Sequence, residues 1–216
     1  MRQSVLSEKS RKWIYEPADA GQEIEVIHWS FYDWKTLAAG AMATSYSFFN
    51  TPSGTPVGAG TANKETSNIP KPLSIGSPYK FLLQEVGFAV FPSGRGYCTG
   101  SAPTADHSII ADMTDIICRG VATLRVLGVD RLEVSPLLLL PSGFGLTGPG
   151  DLNTKQGALQ SNGWPVLSNR YPVEIGLHKD TTFEMNVDFP AGAITIYNAM
   201  KFGFVFDGLL QRPKGK

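Results

Sequence analysis

The sequence predicts an all-β chain: an antiparallel β-sandwich of jelly-roll type with one short amphipathic helix at about 107–119. Three observations lead there. Segments rich in β-branched and aromatic residues recur along the chain, several of them alternating apolar with polar positions. There are 23 Gly and 15 Pro against 18% charged residues, a balance that favours many short elements joined by turns. Only one stretch spaces its apolar residues as a helix does.

Residues 1–20 are expected to form an extended N-terminal arm. They carry Arg2, Lys9, Arg11 and Lys12, followed by Trp13, Ile14 and Tyr15. Such an arm reaches a neighbouring copy or a nucleic acid, or is an ordinary mobile terminus. A single domain is expected over 21–216, since no repeat, charge run or uniform linker divides it.

The first strand signal is the β-branched and aromatic run 23–32. Residues 36–46 are Ala-rich and fit a short helix or a loop. Residues 81–91 read as a strand buried on both faces for part of its length. The helix at 107–119 has Asp106 as its expected N-cap and Gly120 as its stop, with Ile109, Ile110, Met113, Ile116 and Ile117 forming one stripe. Segments 121–127 and 131–135 flank Gly128 as a hairpin or tight corner.

The clearest strand is 182–189. Phe183, Met185, Val187 and Phe189 alternate with Glu184, Asn186 and Asp188, giving one core face and one wet face. Residues 193–197 and 201–208 close the series, with Phe202, Phe204 and Phe206 on one side. Irregular stretches at 50–78 and 141–168 have the composition of functional loops or contacts with neighbours.

Composition narrows the function. Nineteen basic residues balance nineteen acidic ones, so the basic excess typical of a nucleic-acid binder is missing. Two cysteines, Cys98 and Cys118, are too few for a disulfide framework or a zinc site and read as buried small hydrophobes, with a single Cys98–Cys118 bridge as the alternative. The start lacks the apolar run of a signal peptide. The apolar run 137–140 is far too short to span a bilayer, so no membrane insertion is expected.

Motifs for chemistry are weak. Gly143, Gly145 and Gly148 have dinucleotide-fingerprint spacing, but Pro149 and Gly150 follow where a helix must open. His28, His107 and His178 lie far apart; His178 and Asp180 have facial-triad spacing in a presumed turn. No nucleophile has a partner base in sequence, and the carboxylates Asp112, Asp115, Glu184 and Asp188 read as solvated. The expectation is therefore no enzyme, and no catalytic, cofactor-binding or metal-binding residues. Trp29, Phe31, Tyr32 and Trp34 crowd one segment, as core and inter-subunit packing or as a stacking platform for sugars or bases.

The C-terminal half adds a resemblance. Residues 128–136 lead into 140–145, then come 162–165, 170–176, the strand 182–190, and a last strand that ends at Asp207-Gly208-Leu209-Leu210, Arg212 and Pro213. Over about 121–213 this resembles the jelly-roll structural proteins of bacteriophages, especially capsid proteins of icosahedral phages. The resemblance implies a virion structural protein, most often a capsid subunit that assembles through sheet edges and long loops. Its partners would be copies of itself and other virion proteins, and it would be made in the host cytoplasm and end in the virion. The alternative is a receptor- or glycan-binding module, spike- or lectin-like, that uses the 29–34 aromatics and the 141–168 loop.

Overall fold

A computed structural model describes residues 7–17, 23–57, 60–61, 65–92, 109–140, 170–179 and 181–214. Among these residues it is an antiparallel two-sheet β-sandwich with two α-helices. Its eight longer strands are β1 (Ile24–Leu37), β2 (Ser45–Phe48), β3 (Lys80–Pro92), β4 (Val121–Val126), β5 (Val129–Val134), β6 (Tyr171–His178), β7 (Phe183–Asp188) and β8 (Met200–Pro213). The helices are α1 (Glu8–Tyr15) and α2 (Ile109–Arg119). One sheet has the order β1-β8-β3-β6, the other β2-β7-β4-β5.

The pairing is nested. β1 pairs with β8, β2 with β7, β3 with β6 and β4 with β5, every pair antiparallel. The chain thus runs out and back like one long ribbon, whose successive strand pairs alternate between the two sheets. The β8–β3 and β7–β4 ladders then join two ribbon pairs within each sheet.

The alternation expected at 182–189 is the pattern observed: Phe183, Met185, Val187 and Phe189 are buried. Phe202, Phe204 and Phe206 also point together into the core. Aromatic rings tie the sheets together. Phe48 of β2 meets Phe204 of β8 at 4.9 Å between ring centres, edge to face, while within one sheet Phe31 of β1 meets Phe81 of β3 at the same spacing. β3 hides its period. Its pairing with β8 jumps from Glu85 to Leu83, so the core-facing set changes from Phe81 and Leu83 to Val86, Phe88 and Val90.

The stretch 36–46 holds no helix. β1 runs on to Leu37, and Gly40–Ala41 makes a two-residue ladder with Thr195–Ile196. β4 and β5 form a hairpin closed by Leu127 and Gly128, both at positive φ (52° and 75°), the pair of left-handed residues that suits the strand twist.

The helix expected at 107–119 is present as α2, with Met113, Ile116 and Ile117 buried; His107 and Asp106 lie outside the described residues. Two expectations on it change. Asp112 is buried, not solvated, because its carboxylate accepts the N–H groups of Tyr197 (3.1 Å) and Asn198 (2.8 Å) and the Asn198 amide (2.7 Å). Cys118 is exposed rather than buried, since it falls opposite the apolar stripe; Cys98 lies outside the described residues.

The extended arm expected over 1–20 is a helix from Glu8 to Tyr15. Ser7 caps it, its hydroxyl accepting the Ser10 N–H at 3.2 Å. The helix lies on the outer face of the β1-β8-β3-β6 sheet, where Ile14 joins Leu82 and Leu209 in a small second core, flanked by Trp13 and Val26. Burying Ile14 and Trp13 on its own sheet is what pulls the segment out of an extended path.

Candidate assembly surface

The edges and outer faces of the two sheets are where this fold can meet another molecule. A two-sheet sandwich has four edge strands, which among the described residues are β1, β6, β2 and β5. Unpaired backbone on such a strand is a template for another chain unless something blunts it.

Three edges are blunted. β6 carries Pro172, which offers no N–H. β5 exposes Asp130, Arg131 and Glu133, with Arg125 Nε held to Asp130 at 2.7 Å. β2 is only four residues long.

β1 is half covered. The N–H of Trp34 donates to the Thr66 carbonyl (2.7 Å), and Asn68 serves as a surrogate strand. Its side-chain oxygen accepts the Tyr32 N–H (2.8 Å), its amide donates to the Ser30 carbonyl (2.8 Å), and its own N–H donates to the Tyr32 carbonyl (3.3 Å). Below Ser30 the edge of β1, Ile24 to Trp29, has no neighbouring strand among the described residues.

The four aromatics of this segment do not form one platform. Phe31 is buried between the sheets, and Trp29 beside it is 40% exposed. Trp34 points to the other face and meets Phe91 at 5.4 Å. Gly203 makes this possible: a Cβ there would stand 2.1 Å from the Asp33 carbonyl oxygen and 2.7 Å from the Trp34 ring.

The inward side of β1 also carries Asp33, a carboxylate in an otherwise apolar layer. It accepts the Phe49 N–H at 2.7 Å and a hydrogen bond from Ser67, and it lies near Lys35. Burial pushes its pKa above the usual carboxylate value, with those hydrogen bonds pulling the other way. Asp33 thereby holds Phe49, itself at φ 62°, at the mouth of the 49–75 loop whose Thr66 and Asn68 cover the β1 edge.

The outer face of the same sheet carries a polar ladder. Ser30, Asp207 and Glu85 are register partners on β1, β8 and β3. Ser30 donates to Asp207, and Arg170 pairs with Asp207. Gly87 makes room for the arginine stem, since a Cβ there would come within 2.8 Å of Arg170 Cδ. Burial lowers the Arg170 pKa, and Glu85 opposes that shift.

Beside the ladder lies α1. Ser7 is tied by its N–H (3.1 Å) and hydroxyl (2.6 Å) to Glu174 of β6, and hydrogen bonds from Ser10 and Ser7 lower the Glu174 pKa. The Trp13 ring stacks over Gly176, and Lys80 Nζ stands 5.2 Å above that ring. Lys9, Arg11, Lys12 and Tyr15 face solvent.

The remaining sequence candidates stay apart. His28 lies on β1 and His178 at the end of β6; His107, Asp180 and the Gly143–Gly148 motif lie outside the described residues. Among the described residues no three His, Cys, Asp or Glu side chains converge, and no helix is long and apolar enough to cross a membrane. Asn68, Gln211 and Glu174 escaped the sequence reading, since their roles depend on partners 36 to 197 residues away. Asp33 had a local signal, a lone acid inside an aromatic run. Comparison with family models, curated proteins and solved structures finds no match.

Proposed function

We propose that the chain is a virion structural protein, a capsid subunit of jelly-roll architecture that assembles with copies of itself and other virion proteins. The observation that carries this reading is the nested order of strands, β1 with β8, β2 with β7, β3 with β6 and β4 with β5. Rolling an antiparallel ribbon of four strand pairs into two sheets is what defines a jelly roll, a fold widely used for shells. The fold alone does not set the function. Two further features favour assembly. The likeness of residues 121–213 to phage capsid proteins points the same way, and zero net charge removes the long-range repulsion between copies. The test is electron microscopy and light scattering of the full chain at high concentration. Closed shells or defined multimers are expected; a chain that stays monomeric would refute the proposal.

A further inference from the structure

We propose that the open half of the β1 edge, Ile24 to Trp29, pairs antiparallel with the same edge of a second copy about a two-fold axis through Val26. The inference rests on the self-assembly reading and names one contact within it.

The hydrogen bonds to Thr66 and Asn68 show which way the strand faces. Ser30, Tyr32 and Trp34 turn their backbone groups away from β8. β1 pairs with β8 without a register shift from Ile24 to Leu37, so the same parity continues downward. Ile24, Val26 and His28 therefore direct their N–H and C=O groups outward, while Glu25, Ile27 and Trp29 direct theirs to β8.

A two-fold axis perpendicular to the sheet keeps each face on its own side, so residues of equal parity meet. An axis through Val26 sets Val26 against Val26, and Ile24 against His28 in both directions. Every outward N–H and C=O of the three residues then finds a partner, and none is left over. Moving the axis to His28 would demand the Ser30 carbonyl, which Asn68 already occupies.

The occupant is thus fixed by the length of the open edge. It is centred on Val26 and stops where the Asn68 surrogate strand begins, which favours a self-pairing segment over a longer foreign strand. The sequence there, Ile24-Glu25-Val26-Ile27-His28-Trp29, has no proline, unlike β6, and its one acid, Glu25, is paired with Arg212 of β8, whereas β5 exposes Asp130, Arg131 and Glu133. On the outer face the contact would bring the two Val26 side chains together beside their α1 helices, joining two copies into one continuous sheet.

The test is amide hydrogen exchange of the full chain, resolved at single residues, above and below the concentration at which it associates. Ile24, Val26 and His28 are expected to be protected only in the associated state. Glu25, Ile27 and Trp29, bonded to β8 in either state, serve as internal references. His28→Pro removes an outward N–H from each copy and should weaken association about tenfold or more. Equal exchange at the three amides in both states would overturn the proposal, as would wild-type association of a folded His28→Pro chain. Particles that form with these amides unprotected would defeat this contact and leave the assembly reading standing. Absence of any association would defeat both.

Discussion

Lys80 and Gln211 face each other across β3 and β8, and between them they take the last carbonyls of α1. The Gln211 amide donates to Ile14 (2.5 Å) and Glu16 (2.7 Å), and Lys80 Nζ donates to Glu16 (2.9 Å). The end of a helix leaves carbonyls unsatisfied and slightly negative, so an amide and a cation there answer both needs. A helix of eight residues would not persist alone, and this clamp with the Ile14 contact is what fixes it.

Gln211→Ala should accordingly cost about 1–2 kcal/mol and free α1 from the sheet. Gln211→Glu should cost more, because a carboxylate would face the same carbonyls. Hydrogen exchange over residues 11–16 checks this. Wild-type protection of those amides in Gln211→Glu would contradict the clamp.

Asn68 protects the covered half of β1. Asn68→Ala removes two side-chain hydrogen bonds, to Tyr32 and Ser30, and should cost about 1–3 kcal/mol. Asn68→Asp keeps the acceptor for Tyr32 but loses the donor to Ser30, so it should fall between wild type and alanine. Urea unfolding of the three proteins gives the order. Exposure of a longer edge should also make Asn68→Ala aggregate faster on warming.

Asp33 should set a pH dependence of stability. Its folded pKa is raised by burial, so the folded chain binds the proton more readily than the unfolded one. Relative stability therefore rises as pH falls through the raised pKa toward the unfolded value, and is lower above it. The melting temperature of wild type minus that of Asp33→Asn should thus increase from pH 7 down to about pH 4. A difference that stays flat or falls would contradict the burial argument.

Gly203 and Gly208 should tolerate no side chain. A Cβ at Gly208 would stand 2.0 Å from the Leu82 carbonyl oxygen and one at Gly203 would stand 2.1 Å from that of Asp33, both backbone atoms that cannot step aside. Gly203→Ala and Gly208→Ala should each cost several times the usual effect of about 1 kcal/mol for a substitution. Gly192→Ala, with open space around it and φ 100°, should cost only its local strain. Soluble yield and thermal midpoints separate the two cases.

The fold was legible where a strand keeps strict period and one wet face. Phe183, Met185 and Val187 announced β7, and Phe202, Phe204 and Phe206 announced the core face of β8. β3 was found as a strand, but its change of core parity depends on a bulge that no local pattern marks. α1 was missed because Trp13, Ile14 and Tyr15 fall in consecutive positions of its last turn and make no stripe. Asp112 looked solvated because its partners, Tyr197 and Asn198, are 85 and 86 residues distant. The half-open edge of β1 was invisible in sequence, since it depends on where Asn68 comes to rest.

The central claim is that this sandwich builds an assembly from copies of itself. Sedimentation velocity of the full chain over a wide concentration range, with electron microscopy of the heaviest fraction, tests it most directly. The account predicts a concentration-dependent shift from the 23.4 kDa chain to defined multimers or shells. A single species at the monomer mass across the whole range would contradict it.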